Sequence, residues 1–181
     1  MAKMLVQKLG SSRASILSQD SYYRDLSQLE MQKRKSVNFD HPDALEWEML
    51  RLHLQRLKSN NNVQVPMYDF SSHTRNGSLM LKPVKYLIIE GHLLFYYKNI
   101  RDLLDLKNFL DNDIDILLLR RIARDVSERG RSLDEVILQY MNSVRNAYFD
   151  YVDPCRQWAD MTLIFDKHKD CCINEILNKI Y

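Results

Sequence analysis

The sequence predicts an α/β fold in which helices flank a parallel sheet. Short apolar runs alternate with longer stretches of helical periodicity, and this alternation is typical of such a sheet. The runs that predict strands are 14–17, 86–89, 107–110 and 161–165, and the stretches that predict helices are 44–57, 114–128, 133–151 and 173–180. With 181 residues, 45% of them hydrophobic, the chain can bury a substantial core, so we expect a single domain over residues 1–181.

Two further segments complete the predicted elements. Residues 1–9 predict a helix, because Met4, Leu5 and Leu9 recur at helical spacing. Residues 63–68 and 79–81 are separated by a segment that includes the polar run 73–78, which indicates a β-hairpin projecting from the sheet.

Composition excludes several classes of partner. A net charge of +2 is too small to indicate nucleic acid or an anionic membrane as a partner. No apolar run approaches the roughly 18 residues of a membrane-spanning helix, and residues 1–10 lack the apolar core of a secretory signal, so we expect a cytoplasmic protein. Cys155, Cys171 and Cys172 form no C-x-x-C pair, which indicates neither a disulfide framework nor a zinc site.

Two carboxylates directly follow predicted strands. Asp20 lies in Ser-Gln-Asp-Ser-Tyr-Tyr after the run 14–17, and Glu90 follows 86–89 and precedes Gly91, which permits a close backbone approach. The carboxyl ends of strands are where open α/β sheets place their chemistry. The structural alternatives are an Asx turn or helix N-cap for Asp20 and a capping or salt-bridged glutamate for Glu90.

Three other segments carry polar or aromatic side chains of interest. Asp40 precedes His41 and Pro42 between two predicted helices, and Asp43 is predicted to cap the second of them. Residues 68 and 70, both aromatic, would share one strand face, either as simple packing or as a ring-binding surface. The arginine-rich run 120–131 is either a solvated helix or a lid that neutralises phosphates.

Five segments, in this order and spacing, closely resemble the uridine-cytidine kinase family of P-loop nucleoside kinases. They are Ser-Gln-Asp-Ser-Tyr-Tyr at 18–23, Asn-Phe-Asp-His-Pro-Asp-Ala-Leu at 38–45, Gln-Val-Pro-Met-Tyr-Asp-Phe-Ser-Ser-His-Thr-Arg at 64–75, Ile-Ile-Glu-Gly-His-Leu-Leu at 88–94 and Arg-Arg-Ile-Ala-Arg-Asp-Val-Ser-Glu-Arg-Gly-Arg at 120–131. The resemblance extends from about residue 3 to about residue 165.

The resemblance implies a fold and an activity. The fold would be a P-loop kinase-type parallel sheet with a projecting β-hairpin and an arginine-rich helical lid. The activity would be transfer of the ATP γ-phosphate, with Mg²⁺, to the 5′-hydroxyl of uridine or cytidine, giving UMP or CMP in pyrimidine salvage. The family likeness also implies a homo-oligomer, a tetramer.

The resemblance also assigns residues to roles. It implies that Asp20 is the base toward the 5′-hydroxyl and a magnesium partner through water, that Glu90 contacts magnesium, and that Asp40 accepts from the ribose hydroxyls. The pyrimidine-binding residues that it implies are Tyr68, Phe70 and His73, with Tyr23 and Arg129 completing the pocket. The lid residues that it implies are Arg121 and Arg124 toward the phosphates, and Arg129 and Arg131 with Gln139 at the nucleoside and the hinge, where Gly130 supplies flexibility.

The sequence departs from the family pattern in three places. None of Gly10, Gly77, Gly91 and Gly130 belongs to a G-x-x-x-x-G-K-[ST] phosphate loop, and the first, central strand of the sheet is also missing from the predicted elements. We therefore expect a chain of this length to show no uridine phosphorylation and poor stability. It would be either an N-terminally truncated kinase or a non-catalytic relative that acts by nucleoside binding or association.

The two other departures are smaller. Phe165-Asp166-Lys167 stands where a Pro-Arg-Gly turn near the adenine is expected, and Tyr22-Tyr23 replaces a frequent Phe-Tyr. A nicotinamide riboside or phosphoribulose kinase shares the fold but fits less well, because the segment 39–44 and the lid match the pyrimidine branch.

Overall fold

A computed structural model of the protein describes residues 1–164 and 169–181. These residues form two compact units, Ala2–Asp105 and Leu106–Tyr181, with Met1 grouped with the second. The single domain over residues 1–181 stays a prediction. The departure at Phe165-Asp166-Lys167 lies outside the described residues.

The first unit contains the predicted parallel strand pair. Its elements are α1 (Ala2–Leu9), β1 (Ala14–Ser18), α2 (Met31–Lys35), α3 (Trp47–Lys58), β2 (Val63–Asp69), β3 (Thr74–Leu81), β4 (Tyr86–Glu90) and α4 (Lys98–Arg101). β1 pairs with β4 in parallel, with Ser18 opposite Glu90. α1 packs on this pair and buries Leu5 and Leu9, so the predicted helix over 1–9 is confirmed.

The hairpin is also confirmed, with a longer second strand than predicted. β2 and β3 pair antiparallel, and the register shifts between Pro66 and Tyr68. The polar run 73–78 was predicted to connect the strands, yet β3 begins at Thr74 and includes most of that run. The prediction was wrong because β3 is largely exposed, so main-chain pairing with β2, rather than an apolar pattern, determines the strand.

The second unit contains a second parallel pair. Its elements are β5 (Asn108–Asp111), α5 (Ile114–Ser127), α6 (Leu133–Gln139), α7 (Arg145–Ala147), β6 (Met161–Ile164) and α8 (Lys169–Ile180). β5 pairs with β6 in parallel, with Leu110 opposite Leu163. Cys171 and Cys172 lie on α8, as predicted, and the predicted α/β class with parallel strands flanked by helices is confirmed.

The predicted helix over 133–151 is not one regular α-helix. Ser132 begins α6 with a capping box, in which its hydroxyl accepts from the backbone of Glu135 and the Glu135 carboxylate accepts from the backbone of Ser132. The chain then passes through the π-helical segments Tyr140–Val144 and Tyr148–Val152. Hydrophobic periodicity does not distinguish these from α-helix, because it is evaluated over windows of about 11–18 residues, which are longer than one π-helical turn.

Within the described ranges 1–164 and 169–181, no helix combines the length and the apolar character that crossing a bilayer requires.

Candidate active site

Asp20 and Glu90 lie at the same edge of the β1–β4 pair. Ser18 and Glu90 are opposite one another in the parallel register, and Asp20 follows Ser18 by two residues. The carboxyl ends of parallel strands share one edge of a sheet, so the register brings these two predicted site residues to one place.

Asp20 lies in the first turn of a short 3₁₀ helix, Gln19–Tyr22. The cap of this helix is Ser18, whose hydroxyl accepts from the backbone N–H of Asp20 at 3.4 Å. The alternative that Asp20 is itself the N-cap is therefore wrong. Because Ser18 supplies the capping oxygen, the half-buried carboxylate of Asp20 is not needed for capping and can serve chemistry.

Gln19 joins the two strand ends, and sequence reasoning missed it. Its side chain is fully buried, and its Oε1 accepts from the backbone N–H of Leu93 at 3.1 Å. A Cβ atom at Gly91 would overlap the Gln19 side chain, so the close approach predicted at Gly91 is made by this glutamine. Nothing in the local sequence marks a glutamine beside a strand end as buried, because glutamine is usually exposed.

Five rings form one aromatic cluster in the first unit. Tyr23 packs against Phe39 with centroids 5.5 Å apart and against Tyr68 at 5.3 Å. Phe39 stacks on His73 at 4.7 Å with 16° between the planes, and Tyr68 meets Phe70 edge to face at 5.4 Å. The structure thus brings together four of the predicted pyrimidine-binding residues. Phe39 was missed as a site residue, although its place in the segment 38–45 could have indicated it.

Tyr68 carries a buried hydroxyl for which the described residues provide no hydrogen-bond partner. Burial raises the pKa of Tyr68 to about 12, with a further contribution from the negative charge of Asp25. The phenol therefore stays protonated and can donate a hydrogen bond. A buried polar group without a partner costs stability, and a ligand acceptor such as a pyrimidine carbonyl would satisfy it.

A tight turn holds His73 in this cluster. Asp69 accepts from the hydroxyl of Ser71 at 2.6 Å, and from the backbone N–H of Ser71 and the hydroxyl of Ser72, both at 2.8 Å. These bonds, above all the one from the Ser71 hydroxyl, lower the pKa of Asp69 to about 2. The turn leads into His73, which has φ 54° and is 8% exposed. Its carbonyl accepts from the backbone N–H of Leu26, so the turn is tied to the loop after Tyr23.

Asp40 lies beside the aromatic cluster, because it directly follows Phe39 in the chain. Its side chain is half-buried. Its backbone N–H donates to the side chain of Asn38 at 3.0 Å. The predicted capping role of Asp43 is wrong, because Asp43 lies inside a short 3₁₀ helix, Pro42–Ala44, and the following helix α3 begins only at Trp47, after Glu46. The cap of the 3₁₀ helix is His41, whose Nδ1 accepts from the backbone N–H of Asp43 at 3.1 Å, and Pro42 occupies its first position.

The arginines of the predicted lid converge within the second unit. Arg121, Arg124, Arg129 and Arg131 surround the buried carboxylate of Asp125. Their side chains are between 18% and 43% exposed, which contradicts the alternative of a simply solvated helix. Gln139 lies with them, because its Oε1 accepts from Arg121 at 3.0 Å and from Arg131 at 2.5 Å. Arg129 and Gln139 belong to the second unit and the aromatic cluster to the first, so the contact of these two residues with the nucleoside stays a prediction.

The site residues suit Mg²⁺ only together with phosphate. Within the described part of the chain, no group of three or more carboxylate, histidine and cysteine side chains could hold a metal ion. Mg²⁺ is commonly bound by one or two carboxylates plus substrate phosphates, and Asp20 and Glu90 at one sheet edge match that requirement.

Comparison with known proteins identifies the family. The sequence model of the Phosphoribulokinase / Uridine kinase family matches residues 1–171. The chain belongs to this family. It is 38% identical over 181 residues to the uridine kinase of Clostridium tetani, covering 99% of this chain and 87% of that protein. It is 44% identical over 155 residues to the uridine kinase of Proteus mirabilis, covering 85% of this chain and 73% of that protein.

Solved structures agree on the fold of this family member. Phosphoribulokinase from Rhodobacter spheroides superposes with a TM-score of 0.64 at 18% identity, over 88% of this chain and 62% of that one. D-glycerate 3-kinase from Cryptococcus neoformans superposes with a TM-score of 0.61 at 16% identity, over 85% of this chain and 74% of that one. At these identities the likeness establishes the fold alone.

Proposed function

We propose that this family member is a uridine-cytidine kinase, which transfers the γ-phosphate of ATP to the 5′-hydroxyl of a pyrimidine ribonucleoside and so acts in pyrimidine salvage. The observation that carries the proposal is the aromatic cluster with the buried, unsatisfied hydroxyl of Tyr68. A flat ring with an acceptor at its edge, such as uracil or cytosine, is the ligand that such a pocket suits.

Asp20 is the proposed base. Its carboxylate would accept the proton of the 5′-hydroxyl while that oxygen bonds to the γ-phosphorus and the bond to the β–γ bridging oxygen breaks, which releases ADP. Mg²⁺, when bound, would neutralise charge on the phosphates, held by Glu90 and, through water, by Asp20. The shared edge of β1 and β4 supports this pairing of roles.

Asp40 is the proposed ribose ligand. A carboxylate that accepts from both the 2′- and 3′-hydroxyls would favour ribose over deoxyribose, because the deoxy analogue leaves an acceptor without a partner. Its position next to Phe39, which stacks on His73, supports a place beside the nucleoside.

The pyrimidine ring would lie against the aromatic cluster, with Phe70 and Tyr23 packing on it and Tyr68 and His73 as hydrogen-bond partners of its edge. Arg129 would complete this pocket. Arg121 and Arg124 would contact the nucleotide phosphates, and Arg131 with Gln139 would act at the lid hinge, because guanidinium groups match phosphate oxygens with paired donors.

A uridine titration by calorimetry tests the nucleoside site without requiring turnover. We expect uridine and cytidine to bind, adenosine to bind far more weakly, and Tyr68→Phe to weaken uridine binding about fivefold, since one hydrogen bond is worth about 1 kcal/mol. Tyr181→Phe, at an exposed tyrosine, is the matched control and should change nothing. Equal uridine affinity of wild type and Tyr68→Phe would show that the Tyr68 hydroxyl does not bind the nucleoside and would contradict the proposal.

A second candidate function is a non-catalytic relative that binds nucleoside through the same aromatic cluster or associates with a partner. An ADP-release assay separates the candidates: uridine binding without ADP release supports the second, and uridine-dependent ADP release supports the first.

We further propose that the protein is a cytoplasmic homo-tetramer, as the family likeness suggests. Sedimentation equilibrium of the purified chain, with a monomer mass of 21.6 kDa, measures the oligomeric state directly.

A further inference from the structure

Asp125 of α5 has no role in the proposed chemistry, yet among the described residues of the second unit its carboxylate is the one that is fully buried. Its side chain is 0% exposed. A buried carboxylate persists only when cations or hydrogen-bond donors surround it, since removing the charge from water is costly. The burial of Asp125 therefore requires cationic or hydrogen-bonding partners inside the second unit.

Four guanidinium groups surround this carboxylate. Nε of Arg124 lies 2.8 Å and Nη1 of Arg129 3.3 Å from Oδ1. Nε of Arg121 lies 3.7 Å and Nη1 of Arg131 3.6 Å from Oδ2. The carboxylate thus lies at the centre of the arginine cluster, defined as these four residues, and contacts every member.

Four guanidinium groups share the carboxylate of Asp125, so their positive charges lie close to one another. Like charges at this separation repel one another, and without a central anion the long side chains would spread into solvent. Gln139, which accepts from two of the arginines, adds orientation but no negative charge. Asp125 is therefore the group that opposes this repulsion.

The arrangement leaves donors for a ligand. Arg124 bonds to Asp125 through Nε alone, and its side chain is 43% exposed, so its terminal nitrogens remain for an anion. A guanidinium has five N–H donors, and phosphate oxygens take them in pairs.

We propose that Asp125 is a positioning residue: it gathers the arginine cluster so that Arg121 and Arg124 form a preformed receptor for the polyphosphate of the nucleotide, and it does not itself touch the phosphates. The proposal rests on the proposed function for its biological ligand. Its physical content is that a negative charge inside the receptor strengthens the binding of an anion, because preorganised donors bind better than mobile ones.

Titration with inorganic tripolyphosphate tests the proposal on the purified chain. The variants are Asp125→Asn and the control Asp115→Asn, which removes one charge at an exposed position of the same helix. If only net charge mattered, both variants would bind tripolyphosphate as tightly as wild type or tighter. We expect Asp125→Asn to bind about tenfold more weakly, the loss of about one charge-assisted hydrogen bond, and Asp115→Asn to match wild type.

Asp125→Asn keeps the shape of the side chain, and a circular-dichroism melt checks that the variant is folded. If it is not, nuclear magnetic resonance of the arginine Nε–H groups of wild type decides. We expect the Nε–H of Arg124 to be protected from exchange before and after tripolyphosphate is added, because its bond to Asp125 persists. Rapid exchange of that proton, absence of tripolyphosphate binding to wild type, or equal or tighter binding by folded Asp125→Asn would each overturn the proposal.

The proposed function and the role of Asp125 can fail separately. Loss of uridine binding with the expected tripolyphosphate series would refute the proposed function and leave the role of Asp125 intact. If wild type binds uridine and Asp125→Asn binds tripolyphosphate as tightly as wild type, the role of Asp125 is refuted and the proposed function is kept.

Discussion

Replacing Gly91 with alanine places a methyl group where the side chain of Gln19 lies. The new Cβ would overlap Oε1 and Cβ of Gln19 and would lie 2.8 Å from its Cδ. Gly91 does not have the positive φ of Gly10, Gly77 and Gly130, so its replacement costs stability through this overlap rather than through backbone strain. The overlap includes Cβ of Gln19, an atom fixed to the backbone, so a change of side-chain rotamer cannot relieve it.

The size of the effect follows from two contributions. Overpacking a tight site costs about 1–3 kcal/mol, and loss of the bond from the Leu93 N–H to Gln19 adds about 1 kcal/mol. We therefore expect Gly91→Ala to lower the free energy of unfolding by about 2–4 kcal/mol. For a chain of this length that corresponds to a fall in Tm of roughly 4–15 °C.

Thermal denaturation followed by circular dichroism measures this change, with Gly77→Ala as the control. Gly77 has positive φ and nothing within 4 Å of an added Cβ, so its variant carries backbone strain without overlap and should cost about 1–2 kcal/mol. In a Gln19→Gly background, Gly91→Ala should cost much less than in wild type, whereas in Gln19→Ala the penalty should persist. A Tm within about 1 °C of wild type, or an equal penalty in both backgrounds, would refute the reasoning.

Three further predictions concern pH, the ribose site and a strand end. Burial lowers the pKa of His53 below its usual 6.5, and Nδ1 of its ring lies 2.9 Å from the hydroxyl of Tyr22. The unfolded state therefore binds more protons than the folded state, and stability falls as pH drops below about 6.5. Between pH of about 7.5 and 5.5, the Tm of His53→Gln should fall by less than the Tm of wild type. Asp40→Ala should weaken uridine binding about tenfold or more and deoxyuridine binding by less, because deoxyuridine offers Asp40 only its 3′-hydroxyl. Calorimetry would detect the difference, and equal losses for both nucleosides would contradict the proposed contact with the 2′-hydroxyl. Asp111→Asn should lower the free energy of unfolding by about 1 kcal/mol in urea titrations near pH of about 7, because it weakens the paired hydrogen bonds from Arg156. The same bonds lower the pKa of Asp111, so the difference between variant and wild type should disappear as pH falls toward that lowered pKa. A difference that persists at that pH would contradict this prediction.

Local pattern was sufficient for the elements whose apolar residues face a core. The strands that begin at Ala14, Tyr86 and Met161 were predicted at their first residues, because short runs rich in aliphatic residues give a direct strand signal even where the strand is only partly buried. Positions with no such signal were missed. β3 is an exposed strand determined by pairing, and the π-helical turns after α6 are too short for a periodicity window to separate them from α-helix.

The sequence by itself determined the α/β class and, through five motifs in order, the family and the residue types of the site. Only the tertiary structure decided how those residues are held. Gln19 under Gly91, the stack of Phe39 on His73 and the arginines around Asp125 each join residues through packing, and spacing along the chain does not record which side chain becomes buried against which. The physical reason is that burial of a polar group depends on the partners that satisfy it, and these partners are brought together by the fold.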